Sequence, residues 1–252
     1  MTEQQYLGAI LEKYKISDFV MQNVKRNAEE IANYLRGLWW HYIKWVYYSW
    51  SMARQTAVSI NFDTDICVEF ENNAFTELNT MYNWTYDKLR NKYLNVKQQR
   101  VSIWIPEKNI DVVPTRLIKW SNNVNLRDTK NSTRKQTNIH IHIDYIKKFW
   151  DLDVIKLLKI WKNIHNIDIK SFWLEILTIR ALNSYDGVNL LWPKLRHIWT
   201  YIKNNDIVSM RLVDPSNQNN DIMESIEYGE KIKLKNMAIK SLSEQFWKDI
   251  IR

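Results

Sequence analysis

The sequence predicts an α+β protein of two lobes, a small mixed sheet with flanking helices followed by a helical lobe. Three observations carry this. Residues 42–113 contain short β-rich runs, one of them cleanly alternating, as pleated strands require. Beyond residue 150 apolar residues recur at i, i+3, i+4 and i+7, the spacing of one helix face. Between these regions, residues 121–138 are polar, rich in Asn, Thr, Lys and Arg, and lack an apolar period. That composition reads as a linker and divides the chain into lobes 1–120 and 121–252.

Each element follows from its own pattern. Ala28, Ile31, Ala32 and Leu35 stand at helical spacing, so residues 24–36 read as an amphipathic helix. Residues 42–48 are apolar and rich in β-formers, a strand that enters a turn at Ser51. In the next run Phe62, Ile66, Val68 and Phe70 fall mostly on one face and Asp63, Asp65, Cys67 and Glu69 on the other. A half-buried strand is expected there, with both aspartates pointing the same way. Phe75, Leu78, Tyr82, Leu89 and Tyr93 form a recurring stripe, giving a helix over 75–95. Residues 100–105 and 109–113 read as a hairpin across Pro106-Glu107-Lys108. Val154, Leu157, Leu158 and Trp161 mark a helix, and residues 172–183, 190–203 and 232–251 read as three more.

Composition bounds the function. A chain of 252 residues has room for a sizeable core. Its 45% hydrophobic and 25% charged content is that of an ordinary globular protein. The formal charge of +8 favours an anionic partner such as a nucleotide or RNA. A single cysteine, Cys67, excludes an intramolecular disulfide and fits a reducing compartment, so a cytoplasmic location is expected. No apolar run reaches the roughly 18 residues of a membrane span, and no membrane partner is expected. The polar start shows no signal peptide. Glycine-rich dinucleotide or P-loop motifs are absent. His140 and His142 alternate with isoleucines but lack further zinc ligands, and read as a strand face or a helix start. Cys67 has no His partner that would make it a nucleophile.

The chain carries 13 Trp and 4 Gly, against average glycine usage of about 7%. Trp50 stands before Ser51, where a tight turn calls for glycine's freedom. Two readings stand: a true Trp-rich protein, or UGA codons that the cell decodes as Gly. For the aromatic run from Trp39 to Trp50, core packing or the same miscoding is expected in preference to membrane-interface contact.

The chemistry lies in a compound pattern. A turn at Ser51 with Ala53, Arg54 and Thr56 precedes Asp63-Thr64-Asp65 by eleven residues, and Ile110-Asp111-Val112-Val113-Pro114 follows. Two Asp at i and i+2 of a strand present both carboxylates on one face. A third from a neighbouring strand completes a cage for two divalent ions about 3.5–4 Å apart. Hard Mg²⁺ suits carboxylate oxygens and phosphates, with Mn²⁺ as the alternative ion. Asp63, Asp65 and Asp111 are the expected catalytic metal ligands. The Ser51 turn is expected to receive the β- and γ-phosphates on its backbone N–H groups and hydroxyl.

At these residues the chain resembles the DNA-polymerase-β-like nucleotidyltransferases. Ser51-Met52-Ala53-Arg54-Gln55-Thr56 is similar to the Gly-Ser-x-Ala-Arg-Gly-Thr form of that family's turn, with Trp50 and Gln55 departing at the two glycines. Asp111-Val112-Val113-Pro114 is similar to its third-carboxylate strand. Lys156–Lys162, Ile169–Glu175 and the stretch from Val213-Asp214-Pro215 to Asp221 resemble the helical half of oligoadenylate synthetases and bacterial cyclic-oligonucleotide synthases. The resemblance spans residues 25–245. It implies a small-sheet palm plus a helical nucleotide-binding lobe, an NTP donor, and a nucleotide or RNA acceptor. Ser51, Arg54 and Thr56 would bind the donor, Lys159 and Ser171 its triphosphate, and Phe172 would stack on its base. It leaves three outcomes open: a cyclic or linear oligonucleotide synthase, an RNA or tRNA 3′-end nucleotidyltransferase, and an inactive nucleotide-binding protein. Oligomeric state is not legible.

Overall fold

The computed structural model describes residues 1–48, 50–62, 64–129 and 133–252, with Tyr48, Trp50 and Thr133 described by backbone alone. They form two compact units that share the chain discontinuously. A sheet unit takes Ser17–Ala53 and Asp63–Ile143, and a helical unit takes Met1–Ile16, Arg54–Phe62 and Asp144–Arg252.

The helical unit begins with α1 (Glu3–Lys13), held by a reciprocal cap in which Thr2 and Gln5 bond each other's backbone N–H groups. The sheet unit begins with α2 (Asp18–Trp39), capped by the Ser17 hydroxyl on the Val20 N–H. Its buried residues are Ala28, Ile31, Ala32 and Leu35, the stripe seen in the sequence. Strand β1 (Ile43–Tyr48), a short helix α3 (Trp50–Ala53), β2 (Thr64–Phe70) and α4 (Leu78–Lys92) follow. Then come β3 (Lys97–Gln98), β4 (Ile103–Ile105), β5 (Ile110–Leu117), β6 (Val124–Asp128), β7 (Thr133–Thr137) and α5 (Ile139–Lys147). The sheet runs β1-β2-β5-β4-β3, with β6 and β7 attached to the end of β5. Among the described residues only β2 and β5 pair in parallel.

Two expectations are corrected here. Residues 121–138 are no linker: β6 and β7 lie in them, paired in register from Val124↔Thr137 to Asp128↔Thr133. Val124 and Leu126 of β6 are buried, but two apolar residues are too few to show a period, and part of the cohesion is ionic. Asp128 is fully buried and accepts two bonds of 2.8 Å from Arg100. Strand β2 is not half-buried either. Ile66, Val68 and Phe70 pack in the core shared with α2 and α4, while Cys67 on the other face packs with Val124 of β6 and Ile139 of α5. Only Asp65, near the strand's beginning, stays partly open. The expected 100–113 hairpin is present as β4 and β5, closed by a 3₁₀ turn over Pro106–Lys108 and a left-handed Asn109.

The helical unit continues with α6 (Leu152–Ile164), α7 (Ser171–Leu182) and α8 (Leu191–Asn204), then the hairpin β8 (Val213–Asp214) and β9 (Asn217–Asp221). The helix expected over 232–251 is two, α9 (Tyr228–Ser243) and α10 (Trp247–Ile250). Helix α7 is buried almost all round, so it is the central element of this unit. Trp161, Trp199 and Trp247 form a chain of rings 5.7 and 5.8 Å apart. Large apolar side chains such as these contribute about 1.5–3 kcal/mol each when fully buried.

The tryptophans divide sharply. Trp39 packs on Tyr42 and Phe75, each ring 4.6 Å away. Trp40 and Trp45 are mostly exposed, and Trp120 is 92% exposed with a left-handed φ of 61°. No helix among the described residues is long and apolar enough to cross a membrane.

Candidate active site

Asp65 and Asp111 come together because β2 and β5 are parallel neighbours. The register pairs their Cα atoms directly. Partners in adjacent strands lie about 4.8 Å apart and share a face. Both side chains are half-buried. Like charges placed opposite each other destabilise a sheet, so this pair carries an electrostatic cost that a bound cation would offset. The Ser102 hydroxyl, on the chain entering β4, lies 3.0 Å from Asp111 Oδ1 and 2.9 Å from Gln99 Oε1, two acceptors for its one proton. Asp63, the third expected ligand, lies outside the described residues, as does Ser49. Among the described residues no cluster of three metal-binding side chains occurs. Asp65 and Asp111 nevertheless fit a hard divalent ion: they are two adjacent oxygen donors at the partly open end of an otherwise buried strand.

Cys67 and Glu69 continue the same face inward. Burial pushes the Cys67 thiol up to about 12, and it sits 3.3 Å from the Thr115 hydroxyl. A thiol so held is inert at neutral pH. Burial also raises the Glu69 carboxyl to about 6, against the lowering effect of Lys44. His140 lies in the first turn of α5, where its Nε2 meets the Tyr47 hydroxyl at 2.9 Å. His142 follows in the same helix.

Ser51 lies in α3, which follows β1 along the chain, so strand and short helix come in the order the phosphate-turn reading requires. Gln55, at the family's second glycine position, has φ 62°. The backbone therefore keeps the left-handed turn that glycine would adopt freely.

The other expected donor-site residues gather in the helical unit. Arg54, Thr56 and Lys159 are buried around Glu175 of α7, itself fully buried. Arg54 Nε stands 2.6 Å from Glu175 Oε2, an ion pair whose angle falls short of a hydrogen bond. The Thr56 hydroxyl donates to Glu175 Oε1 at 2.6 Å. Lys159 donates to the Thr56 carbonyl at 2.7 Å and lies 3.4 Å from Glu175. Burial pulls the Lys159 ammonium down to about 8, with Glu175 opposing and Arg54 reinforcing. The Phe172 ring lies 5.3 Å from the Arg54 guanidinium carbon. Ser171 opens α7, half-buried, one turn before Glu175. Glu175 had no role in the sequence reading. The signal available was an acidic residue amid a mostly apolar helix, Phe172-Trp173-Leu174-Glu175-Ile176-Leu177, which must be paired if buried.

No protein-family model matches the sequence, and no curated protein matches it. Solved structures do. The chain is similar to E. coli CdnC with ATP, at TM-score 0.77 and 18% identity over 95% of this chain and 90% of that one. It is similar to the Bradyrhizobium diazoefficiens CD-NTase CdnG in complex with GTP, at TM-score 0.76 and 12% identity over 96% and 93%. It is also similar to a Cid1 poly(U) polymerase mutant bound to MgATP, at TM-score 0.69 and 11% identity over 98% and 97%. At such identities the likeness is one of fold. The α+β class and the DNA-polymerase-β-like nucleotidyltransferase fold are both as expected.

Proposed function

We propose that this protein transfers a nucleoside monophosphate from an NTP to a ribose hydroxyl, releasing pyrophosphate, and that its products are cyclic or linear oligonucleotides. The observation that supports this best is the direct pairing of Asp65 with Asp111 on the parallel strands of this fold. Asp65 and Asp111, with Asp63, would hold two Mg²⁺ ions. When bound, such ions lower the pKa of an attacking hydroxyl and neutralise the leaving pyrophosphate. The chain's own groups prepare that chemistry. Ser102 offers the Asp111 carboxylate a hydrogen bond. The Ser51 turn offers a hydroxyl and backbone N–H groups to phosphate oxygens. Ser171 remains the phosphate ligand of α7, and Phe172 the stacking surface for the base. Arg54, Thr56 and Lys159 serve the donor from within, by shaping the turn rather than by presenting charge at a surface.

A second reading, RNA 3′-end nucleotidyl transfer, is favoured by the likeness to a poly(U) polymerase and by the charge of +8. Incubating the protein with labelled NTPs and Mg²⁺, with and without RNA, separates the readings. An oligonucleotide made without RNA supports synthase activity. Label entering RNA alone supports the second reading. Labelled NTP retained without turnover leaves a nucleotide-binding protein.

A further inference from the structure

Helix α7 is buried almost all round, and Glu175 is the one acidic residue within it. A buried carboxylate is tolerated only where cations and donors surround it. Its partners converge on one short stretch of chain. Arg54 binds it by side chain, Thr56 binds it by side chain, and Lys159 ties the Thr56 carbonyl to the same place. Between the two clamped residues stands Gln55 with its φ of 62°. A side chain in that region is disfavoured and persists only where neighbours hold it. One residue upstream of Arg54 is the end of α3, the helix that carries Ser51. Downstream the same stretch leads through Phe62 to Asp63 and β2.

We propose that Glu175 is a positioning residue for nucleotidyl transfer, clamping Arg54 and Thr56 on either side of the left-handed Gln55 so that the Ser51 turn keeps one geometry for the donor's phosphates. This rests on the transfer reading above. Glu175 touches neither substrate nor metal; it acts through the backbone of residues 54–56. A loosened turn binds the NTP less well but, once filled, leaves the carboxylate site as it was.

The test uses Glu175→Gln, which keeps shape and loses charge, and Thr56→Val, which removes only a hydroxyl and decides the matter should the first variant fail to fold. Pyrophosphate release is measured against NTP concentration, with amide hydrogen exchange of residues 50–58 and of α8 as the internal reference. Loss of a charge-assisted bond predicts KM for NTP raised about tenfold or more, with kcat changed less than about threefold. Exchange at 54–58 rises by about the same factor while α8 stays as in the wild type. Asp65→Asn does the opposite, losing kcat with exchange unchanged. Unaltered KM or unaltered exchange in both variants, with the wild type active, overturns the positioning role alone. A wild type that releases no pyrophosphate overturns the transfer reading beneath it.

Discussion

In the sheet unit Asp65 and Asp111 set two negative charges side by side, half-buried, whereas in the helical unit two positive charges, Arg54 and Lys159, are buried around one carboxylate. The first arrangement opposes like charges across a strand pair, which costs stability. The second pairs opposite charges in a dry interior, where removing one partner strands the others. The contrast separates the proposed cation site from a cluster of paired buried charges. Substitutions should therefore fail in opposite ways at the two places.

The largest effect is expected at the carboxylates. Asp65→Asn should lower NTP turnover by about 10³-fold or more, since several kcal/mol of charge stabilisation is lost. Its melting temperature should hold or rise, because a like-charge pair is relieved. Unchanged pyrophosphate release in Asp65→Asn and Asp63→Asn would remove these residues from the mechanism.

Glu175→Leu should show the reverse. Two buried cations lose their anion, and destabilisation of about 3–5 kcal/mol is expected in denaturant titrations. A loss under about 1 kcal/mol would mean the cluster is wetter and weaker than its burial indicates.

The pH dependence sharpens the same contrast. Unfolded Lys159 keeps its proton to about 10.4, while in the fold burial releases it from about 8. Between those values the unfolded chain binds more protons, so this group makes stability rise with pH. Melting between pH 7.5 and 9.5 should therefore slope more steeply upward in the wild type than in Lys159→Met. Parallel slopes would show that Lys159 titrates normally.

The smallest effect lies away from both centres. Trp120 is 92% exposed and left-handed, so Trp120→Gly should stabilise by up to about 1 kcal/mol. A loss of stability would show that the Trp120 ring is engaged. Mass spectrometry of the protein from its own cell, reading Trp or Gly at positions 50 and 120, decides whether the tryptophan excess is real.

Much of this architecture was legible in local pattern. The strand run through Asp65 and the helices α7 and α8 were read close to their limits, while α2 was read short, as 24–36 against Asp18–Trp39, and α6 only by its stripe from Val154 to Trp161. The β6–β7 hairpin escaped because its buried apolar residues, Val124 and Leu126, are too few to show a period, while buried Asp128 is held by Arg100 from outside the hairpin. Helix α1 escaped although Thr2 and Gln5 spell its cap. Glu175 escaped because two of its partners, Arg54 and Thr56, lie about 120 residues upstream.

The sequence alone determined the kinds of element, the fold class and the three candidate carboxylates, since these depend on residue period and donor chemistry close along the chain. Only the tertiary structure decided that the chain divides into interleaved units, that Asp65 stands beside Asp111, and that Lys159 is interior rather than surface. Those facts depend on strand register and on which distant charge satisfies a buried one, and neither quantity is written in any local stretch of residues.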